Sequence, residues 1–205
     1  MIEITALEVG KLATNCYVVS SNGVAFIVDP GADAGDIKNF LDGKSLKAEG
    51  ILLTHGHYDH TGAVKNLQDM TDAKIYATAD CNDLANSYKS MAFAFGAVMK
   101  KFDTDVIVGD GDYITIGDMS VKVVTTPGHT KGGACYIIEN NIFSGDTLFQ
   151  TSYGRTDLPT GDYNALKNSL NKLFALEGDY KVYPGHGAQT TLDIERKHNL
   201  INFDD

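Results

Sequence analysis

Five of the chain's six histidines sit in three short turns, and no other feature constrains the fold as much. The turns are Thr54-His55-Gly56-His57-Tyr58-Asp59-His60, Pro127-Gly128-His129-Thr130 and Pro184-Gly185-His186-Gly187. Each follows a short apolar, strand-like stretch, and so does Asp146 in Ile142-Phe143-Ser144-Gly145-Asp146. For these side chains to act together, four strand ends must meet at one edge of a sheet or sandwich. At this chain's residue frequencies an HxHxDH string arises by chance in about 5 of 10,000 chains of its length, so the motif is informative. A lone histidine is usually a hydrogen-bonded core or surface residue. Five in glycine-containing turns are not explained that way, because unpaired buried polar groups are costly.

Local pattern supplies the strands. Residues 2–9, 14–20 and 24–29 are rich in Val, Ile, Tyr and Thr and are separated by Gly10 and by Ser21-Asn22-Gly23, which reads as a meander. A short helix over 33–41, a strand at 50–54, a helix at about 61–69 and a strand at 74–78 follow. Residues 80–101 read as mostly helical, with Met91, Phe93, Phe95, Val98 and Met99 expected in a core or a lid rather than around a cofactor. A second run of strands covers 106–108, 112–117, 119–126, 134–139 and 141–144, with turns at Gly111, Gly117-Asp118 and Asn140-Asn141. A helix at 162–176, a strand at 181–183 and a helix at about 191–199 close the chain, Thr190 with Asp193 resembling a capping signal. Two batches of strands with helices between and after them predict an α/β fold of two sheets packed face to face with helices outside.

The length of 205 residues suits one domain spanning 1–205, and no repeat or linker interrupts it. With 17 basic and 27 acidic residues the net charge is −10, and Lys100-Lys101 and Arg196-Lys197 are the basic pairs, so neither nucleic acid nor an anionic membrane surface is an expected partner. The longest apolar run, Met91 to Met99, falls far short of the roughly 20 residues that span a bilayer. The first ten residues carry Glu3 and Glu8 and no basic region before an apolar stretch, so a cytoplasmic location is expected. Cys16, Cys81 and Cys135 are odd in number and far apart, which excludes a disulfide framework; Cys16 and Cys135 read as small core residues. His198, outside the turns, reads as a surface residue.

His55 and His57 are two residues apart on a segment leaving a strand and can point the same way, while Asp59 and His60 reach across as the chain turns into a helix. One short segment can therefore feed two metal ions. Imidazole suits zinc, iron and related ions, and the carboxylates add harder oxygen ligands, so zinc is expected and iron or manganese fits too.

With HGHYDH, then His129, Asp146 and His186, and an Asp at a strand end in Val28-Asp29-Pro30-Gly31, the chain resembles the metallo-β-lactamase superfamily from about residue 10 to 199. Within it, TPGHTKGG (126–133), SGDTLF (144–149), YGRTDLP (153–159) and YPGHG (183–187) resemble the glyoxalase II-like hydrolases, in particular the short bacterial form. The resemblance implies an αββα sandwich of two mixed sheets, with the metal site at one sheet edge. By position, His55, His57 and His129 resemble one ion's ligands, Asp59, His60 and His186 the other's, and Asp146 the bridging carboxylate. Asp29 resembles the residue that supports the ligands without touching the metal; a turn Asp before Pro-Gly would account for it equally well.

The activity so implied is hydrolysis of a small-molecule thioester such as S-lactoylglutathione by a metal-bridging hydroxide, with Asp59 and Asp146 in the catalytic centre. Longer glyoxalase II enzymes continue into a helical C-terminal domain that contacts glutathione, a domain this chain is expected to lack. Tyr153 and Arg155 are candidates to bind a substrate carboxylate; Arg155 could instead pair with Asp157 and brace its loop. The runner-up is the mononuclear iron persulfide dioxygenases, which resemble the chain through GRTD and would use His55, His129 and Asp146. A non-catalytic metal-binding protein is the third reading, disfavoured because structural zinc sites are usually closed and Cys-rich.

Overall fold

The computed structural model describes residues 1–202, and its first sheet uses the strands expected near the N-terminus. Strands β1 (Glu3–Val9) and β2 (Thr14–Ser21) form a hairpin, and β2 returns as β3 (Val24–Val28). Asn22 and Gly23 between them are both at positive φ, as a two-residue turn that matches strand twist requires. Helix α1 (Ala34–Gly43) leads to β4 (Lys47–Leu52); α2 (Tyr58–Thr61), α3 (Val64–Thr71), β5 (Lys74–Ala77), α4 (Ala79–Ala85) and β6 (Val106–Ile107) follow. The order is β1-β2-β3-β4-β5-β6, antiparallel over β1 to β3 and parallel from β3 to β6.

The second sheet starts as an antiparallel meander of β7 (Tyr113–Ile116), β8 (Met119–Thr125), β9 (Ala134–Ile138) and β10 (Asn141–Gly145). A small ladder, β11 (Leu148–Phe149) with β12 (Ser152–Tyr153), and helix α5 (Tyr163–Phe174) intervene. Then β13 (Lys181–Pro184) adds parallel to β10, β14 (Thr190–Thr191) pairs with it, and α6 (Leu192–His198) follows.

The two-residue period of the strands sorts side chains into layers. Tyr17, Val19, Phe26 and Val28 face Val121, Val123, Tyr136 and Phe143 between the sheets. Their neighbours Cys16, Val18 and Ile27 face the other way, onto Ile37 and Leu41 of α1 and Val64 and Leu67 of α3. On the far side, Cys135, Ile137, Ile142 and Val182 meet Leu166, Leu170 and Leu173 of α5. The i, i+4, i+7 spacing of those leucines makes one helical stripe, and at about 1.5–3 kcal/mol per fully buried Leu the stripe anchors α5. Asp162 caps the helix, accepting from the Ala165 N–H at 2.9 Å. Helices thus cover both outer faces of two mixed sheets, the αββα order. Among the described residues no helix is long and apolar enough to cross a membrane.

Three local expectations are corrected. The helix over 80–101 ends at Ala85: Asn86 bonds both the N–H and the carbonyl of Phe102, at 3.2 and 2.9 Å, and so closes a loop. That loop contains only 3-10 turns at Tyr88–Ser90 and Phe93–Phe95, and it is no core, since Phe93 is 90% and Val98 99% exposed. The turn after β9 is Glu139-Asn140, because the buried Asn141 already pairs with Ile138 in β10. The cap of α6 is Thr191, whose hydroxyl accepts from the Ile194 N–H, while Thr190 donates to Glu195. All three cysteines are buried and free, and His198 is exposed.

Candidate metal centre

The parallel pairs β3/β4 and β10/β13 end at the same edge of the sandwich, and the segment after β8 joins them there. Asp29 follows β3, His55 follows β4, His129 follows β8, Asp146 follows β10 and His186 follows β13. The Asn15 N–H donates to the Gly185 carbonyl at 2.7 Å and ties the two sheets together at this edge. Gly185 also permits the close approach: a Cβ there would lie 2.3 Å from Asp146 Oδ1 and 2.5 Å from His60 Cε1. A Cβ on Gly31 would lie 1.5 Å from the Asp59 carbonyl oxygen, so that glycine lets the histidine loop fold against β3.

Two ligand-like groups result, His55 with His57 and His129, and Asp59 with His60 and His186, each with its donor atoms within 4.8 Å of one another. Asp146 lies between them. Its Oδ1 is 3.4 Å from His60 Nε2, and its Oδ2 is 3.5 Å from His129 Nε2 and 3.7 Å from His186 Nε2. Asp59 Oδ2 lies 3.2 Å from His186 Nε2 and 3.7 Å from His60 Nε2, and the Thr14 hydroxyl donates to it at 3.4 Å. All seven predicted ligands are therefore in one place.

The outward-facing nitrogens decide how the rings point. His60 Nδ1 donates to Asp29 Oδ2 at 2.9 Å, His129 Nδ1 to the Arg155 carbonyl at 2.7 Å and His186 Nδ1 to the Leu12 carbonyl at 3.1 Å. With Nδ1 carrying the proton, each ring turns a bare Nε2 lone pair inward, as a metal ligand must. Asp29 also accepts from the Thr54 N–H at 2.7 Å and the Thr54 hydroxyl at 2.5 Å, and Thr54 Oγ1 lies 3.1 Å from His55 Nδ1. Asp29 is thus spent on orienting ligands, although it too clusters with His55 and His60.

These contacts fit a cation better than they fit one another. His57 Nδ1 and His129 Nε2 are 3.0 Å apart, and His60 Nε2 and His186 Nε2 are 3.3 Å apart. Two nitrogens bound at zinc distance in a tetrahedron lie about 3.3 Å from each other. His55 Nε2 and Asp146 Oδ1 are buried without a hydrogen-bond partner, which divalent ions would supply. Protonation of the first group points the same way. Burial, and then the neighbouring imidazoles, lower the pKa of His55 and bring that of His57 down to about 4; burial also lowers that of His129, so the first group is neutral and ready to bind. Burial raises the carboxyl pKa of Asp59 and Asp146, but His60 and the other facing rings outweigh it and hold both below the usual carboxylate range. His60 and His186 are shifted upward, because Asp146 and Asp59 outweigh their burial.

The two predicted substrate contacts are not brought to this cluster. Arg155 forms a bidentate pair with Asp157 at 2.7 and 2.6 Å, the bracing alternative, and it reaches the site only through its backbone carbonyl. Tyr153 packs with the α5 side of the second sheet, its ring 6.3 Å from that of Tyr163. Lys131 pairs with Asp80 on the surface. Sequence reasoning missed Thr54, the Leu12 and Arg155 carbonyls, and a cavity of about 430 Å³ that adjoins Asp59. A carbonyl acceptor has no side-chain signature, and the cavity is built from segments far apart in the chain.

The sequence matches the metallo-beta-lactamase superfamily over residues 9–186. A hydroxyacylglutathione hydrolase of Francisella philomiragia is 36% identical over 87% of this chain and 65% of its own length. The hydroxyacylglutathione hydrolase GloC of Haemophilus influenzae is 31% identical over 97% of both chains. Among solved structures, the B3 metallo-beta-lactamase BLEG-1 superposes with a TM-score of 0.91 at 34% identity, covering 96% of this chain and 98% of its own. TTHA1623 in a di-iron-bound form superposes at 0.87 and 33% identity, covering 95% and 98%.

Proposed function

Since the chain belongs to the metallo-beta-lactamase superfamily, whose members are mostly metal-dependent hydrolases, we propose that it is a dinuclear hydrolase of small-molecule thioesters. The observation that carries this reading is Asp146, whose two oxygens lie between the two ligand groups. His55, His57 and His129 would hold one ion, Asp59, His60 and His186 the other, and Asp146 would bridge. Zinc suits this set of imidazoles and carboxylates, and the di-iron form of TTHA1623 makes iron the second candidate. When bound, such ions supply hydroxide near neutral pH, bringing the pKa of water down to about 7, and polarise a carbonyl oxygen.

The chain's own residues aim the rings, through Asp29, Thr54 and the Leu12 and Arg155 carbonyls. Hydrolysis consumes one water: a C–O bond forms, the C–S bond breaks, and the thiol departs with a proton. The cysteines offer no nucleophile for this. Burial pushes the Cys135 thiol up to about 11 and raises those of Cys16 and Cys81, and none of the three lies among the ligands. The hydrolase relatives named for hydroxyacylglutathione support a thioester, and S-lactoylglutathione is the first substrate to try.

A mononuclear iron persulfide dioxygenase on His55, His129 and Asp146 is the second reading, favoured by the 3.5 Å approach of His129 to Asp146 and the packing of the His55 and His129 rings. It leaves His57, Asp59, His60 and His186 without a task. Metal content, thiol release from S-lactoylglutathione and oxygen uptake with glutathione persulfide, measured on one preparation, decide between them. About two ions per chain with thiol release, both lost in Asp146→Ala, are the expected result. One iron, no thiol release and oxygen uptake would overturn the hydrolase, and metal with no turnover of any thioester, ester or persulfide would favour a binding protein.

A further inference from the structure

The loop that Asn86 closes lies beside the metal cluster and carries apolar side chains into solvent. Phe95 is 58% and Val98 99% exposed, and across from them Leu12 is 39% exposed. Between these segments runs the cavity of about 430 Å³, whose lining includes Asp59 and Thr14. Its apolar walls are Leu12, Tyr58, Phe95, Val98 and Met99. The Tyr58 and Phe95 rings stack with centroids 5.1 Å apart, which ties the loop to the residue next to Asp59. Exposed apolar groups of this kind normally cost solubility and mark a binding surface.

The charges argue about what enters. Lys11 is the one cation among the lining residues, against Asp33 and Asp59, and Asp33 already accepts from the Gly10 N–H at 2.8 Å. A group bearing two carboxylates, such as a glutathionyl moiety, finds no arginine fork here. An uncharged aliphatic or aromatic group finds the side chains of Leu12, Tyr58, Phe95, Val98 and Met99 together with the polar groups of Thr14, Asn66 and Asp59, apolar lining with a few polar groups as is usual in a small-molecule pocket.

We propose that this cavity is a specificity pocket for an uncharged apolar flank of the substrate, lined by Leu12, Tyr58, Phe95 and Val98 and opening onto Asp59. The inference rests on the thioesterase reading and narrows its substrate class to thioesters with a hydrophobic arm of several carbons. That arm belongs either to the acyl group or to the thiol, and two substrate series distinguish them. Because Phe95 and Leu12 are half-exposed, their truncation opens no buried core.

The test uses metal-loaded protein. The acyl series is S-acetyl-, S-butyryl- and S-hexanoyl-N-acetylcysteamine; the thiol series is the acetyl thioesters of ethanethiol, butanethiol and hexanethiol. In one series kcat/KM is expected to rise with length, by up to about fourfold per methylene, the ratio that complete burial of one methylene provides. In Phe95→Ser and Leu12→Ser the long-to-short ratio, taken within each variant, falls at least twofold. Turnover with no length dependence in either series refutes the pocket and leaves the thioesterase standing. If no thioester is cleaved, the thioesterase reading fails, and calorimetry with the thioethers S-hexyl- and S-methyl-N-acetylcysteamine still tests the pocket. Tenfold tighter binding of the hexyl compound, lost in Phe95→Ser, would support an apolar ligand site; equal binding would overturn it.

Discussion

Replacing Asp29 by Asn probes the link between ligand orientation and metal binding with little backbone disturbance. Asp29 sits at φ 52, in the left-handed region, which Asn occupies more readily than Ala, so Asn changes the chemistry and keeps the turn. One amide oxygen can still accept from the Thr54 N–H, and the Thr54 hydroxyl can rotate to accept from the new NH2 group. His60 has no such escape. Its Nδ1, now 2.9 Å from a carboxylate oxygen, would face an NH2 donor. Either it stays protonated and the bond is lost, or it becomes the acceptor and Nε2 takes the proton. Nε2 is the atom that faces Asp59, Asp146 and His186, so the second course removes a ligand. The first course forfeits a buried charge-assisted hydrogen bond, about 1.5–3 kcal/mol. Supporting carboxylates of this kind typically contribute 10–100-fold in metal affinity. Asp29→Asn is therefore expected to weaken the second ion by roughly that factor, read by equilibrium dialysis with metal analysis, while the group of His55, His57 and His129 keeps its own. Urea unfolding of the metal-free form should drop by about 2 kcal/mol. Unchanged affinity for both ions together with unchanged stability would refute the argument.

Asp59→Ala removes a ligand from one group only, so the protein should retain about one ion per chain and lose nearly all thioester hydrolysis; full retention of two ions and activity would rule out Asp59 as a ligand. The metal-free protein should lose stability on acidification from pH 6.5 to 4. In that window the unfolded chain binds protons that the buried His55, His57 and His129 refuse, so the unfolding free energy rises with pH. His57 alone, with its pKa brought down from 6.5 to about 4, accounts for about 3 kcal/mol. His60 and His186, shifted upward, act above the window: the stability they add is complete below pH 6.5 and fades as pH rises through their folded values. Denaturant midpoints that do not move between pH 6.5 and 4 would contradict this. Arg155→Gln leaves the backbone carbonyl that His129 uses in place, so KM should change less than threefold; a tenfold rise would restore Arg155 as a substrate contact.

The site was legible in the sequence because metal chemistry needs particular residue types and strand-end turns advertise themselves. Histidines beside Gly56, Gly128 and Gly185, each after an apolar strand, implied convergence before any pairing was known, and all seven expected ligands do converge. The layer order was likewise implicit in alternations such as Cys16-Tyr17-Val18-Val19, where neighbours must face opposite cores. The apolar run Met91 to Met99 misled for the same reason that it is informative. Composition reports how apolar a segment is, and only the fold decides whether anything covers it. There the deciding contact was Asn86 with Phe102, which closes the loop and leaves Phe95 beside Asp59. Arg155 shows the converse: its neighbour Asp157 was in view, but whether the guanidinium turned to substrate or to that carboxylate depended on loop geometry. Residue identity by itself determined which atoms can bind a metal, a property of side-chain chemistry. Tertiary structure alone decided which backbone carbonyls set the tautomers and which surface borders the site, because those depend on distances between segments that sequence order does not encode.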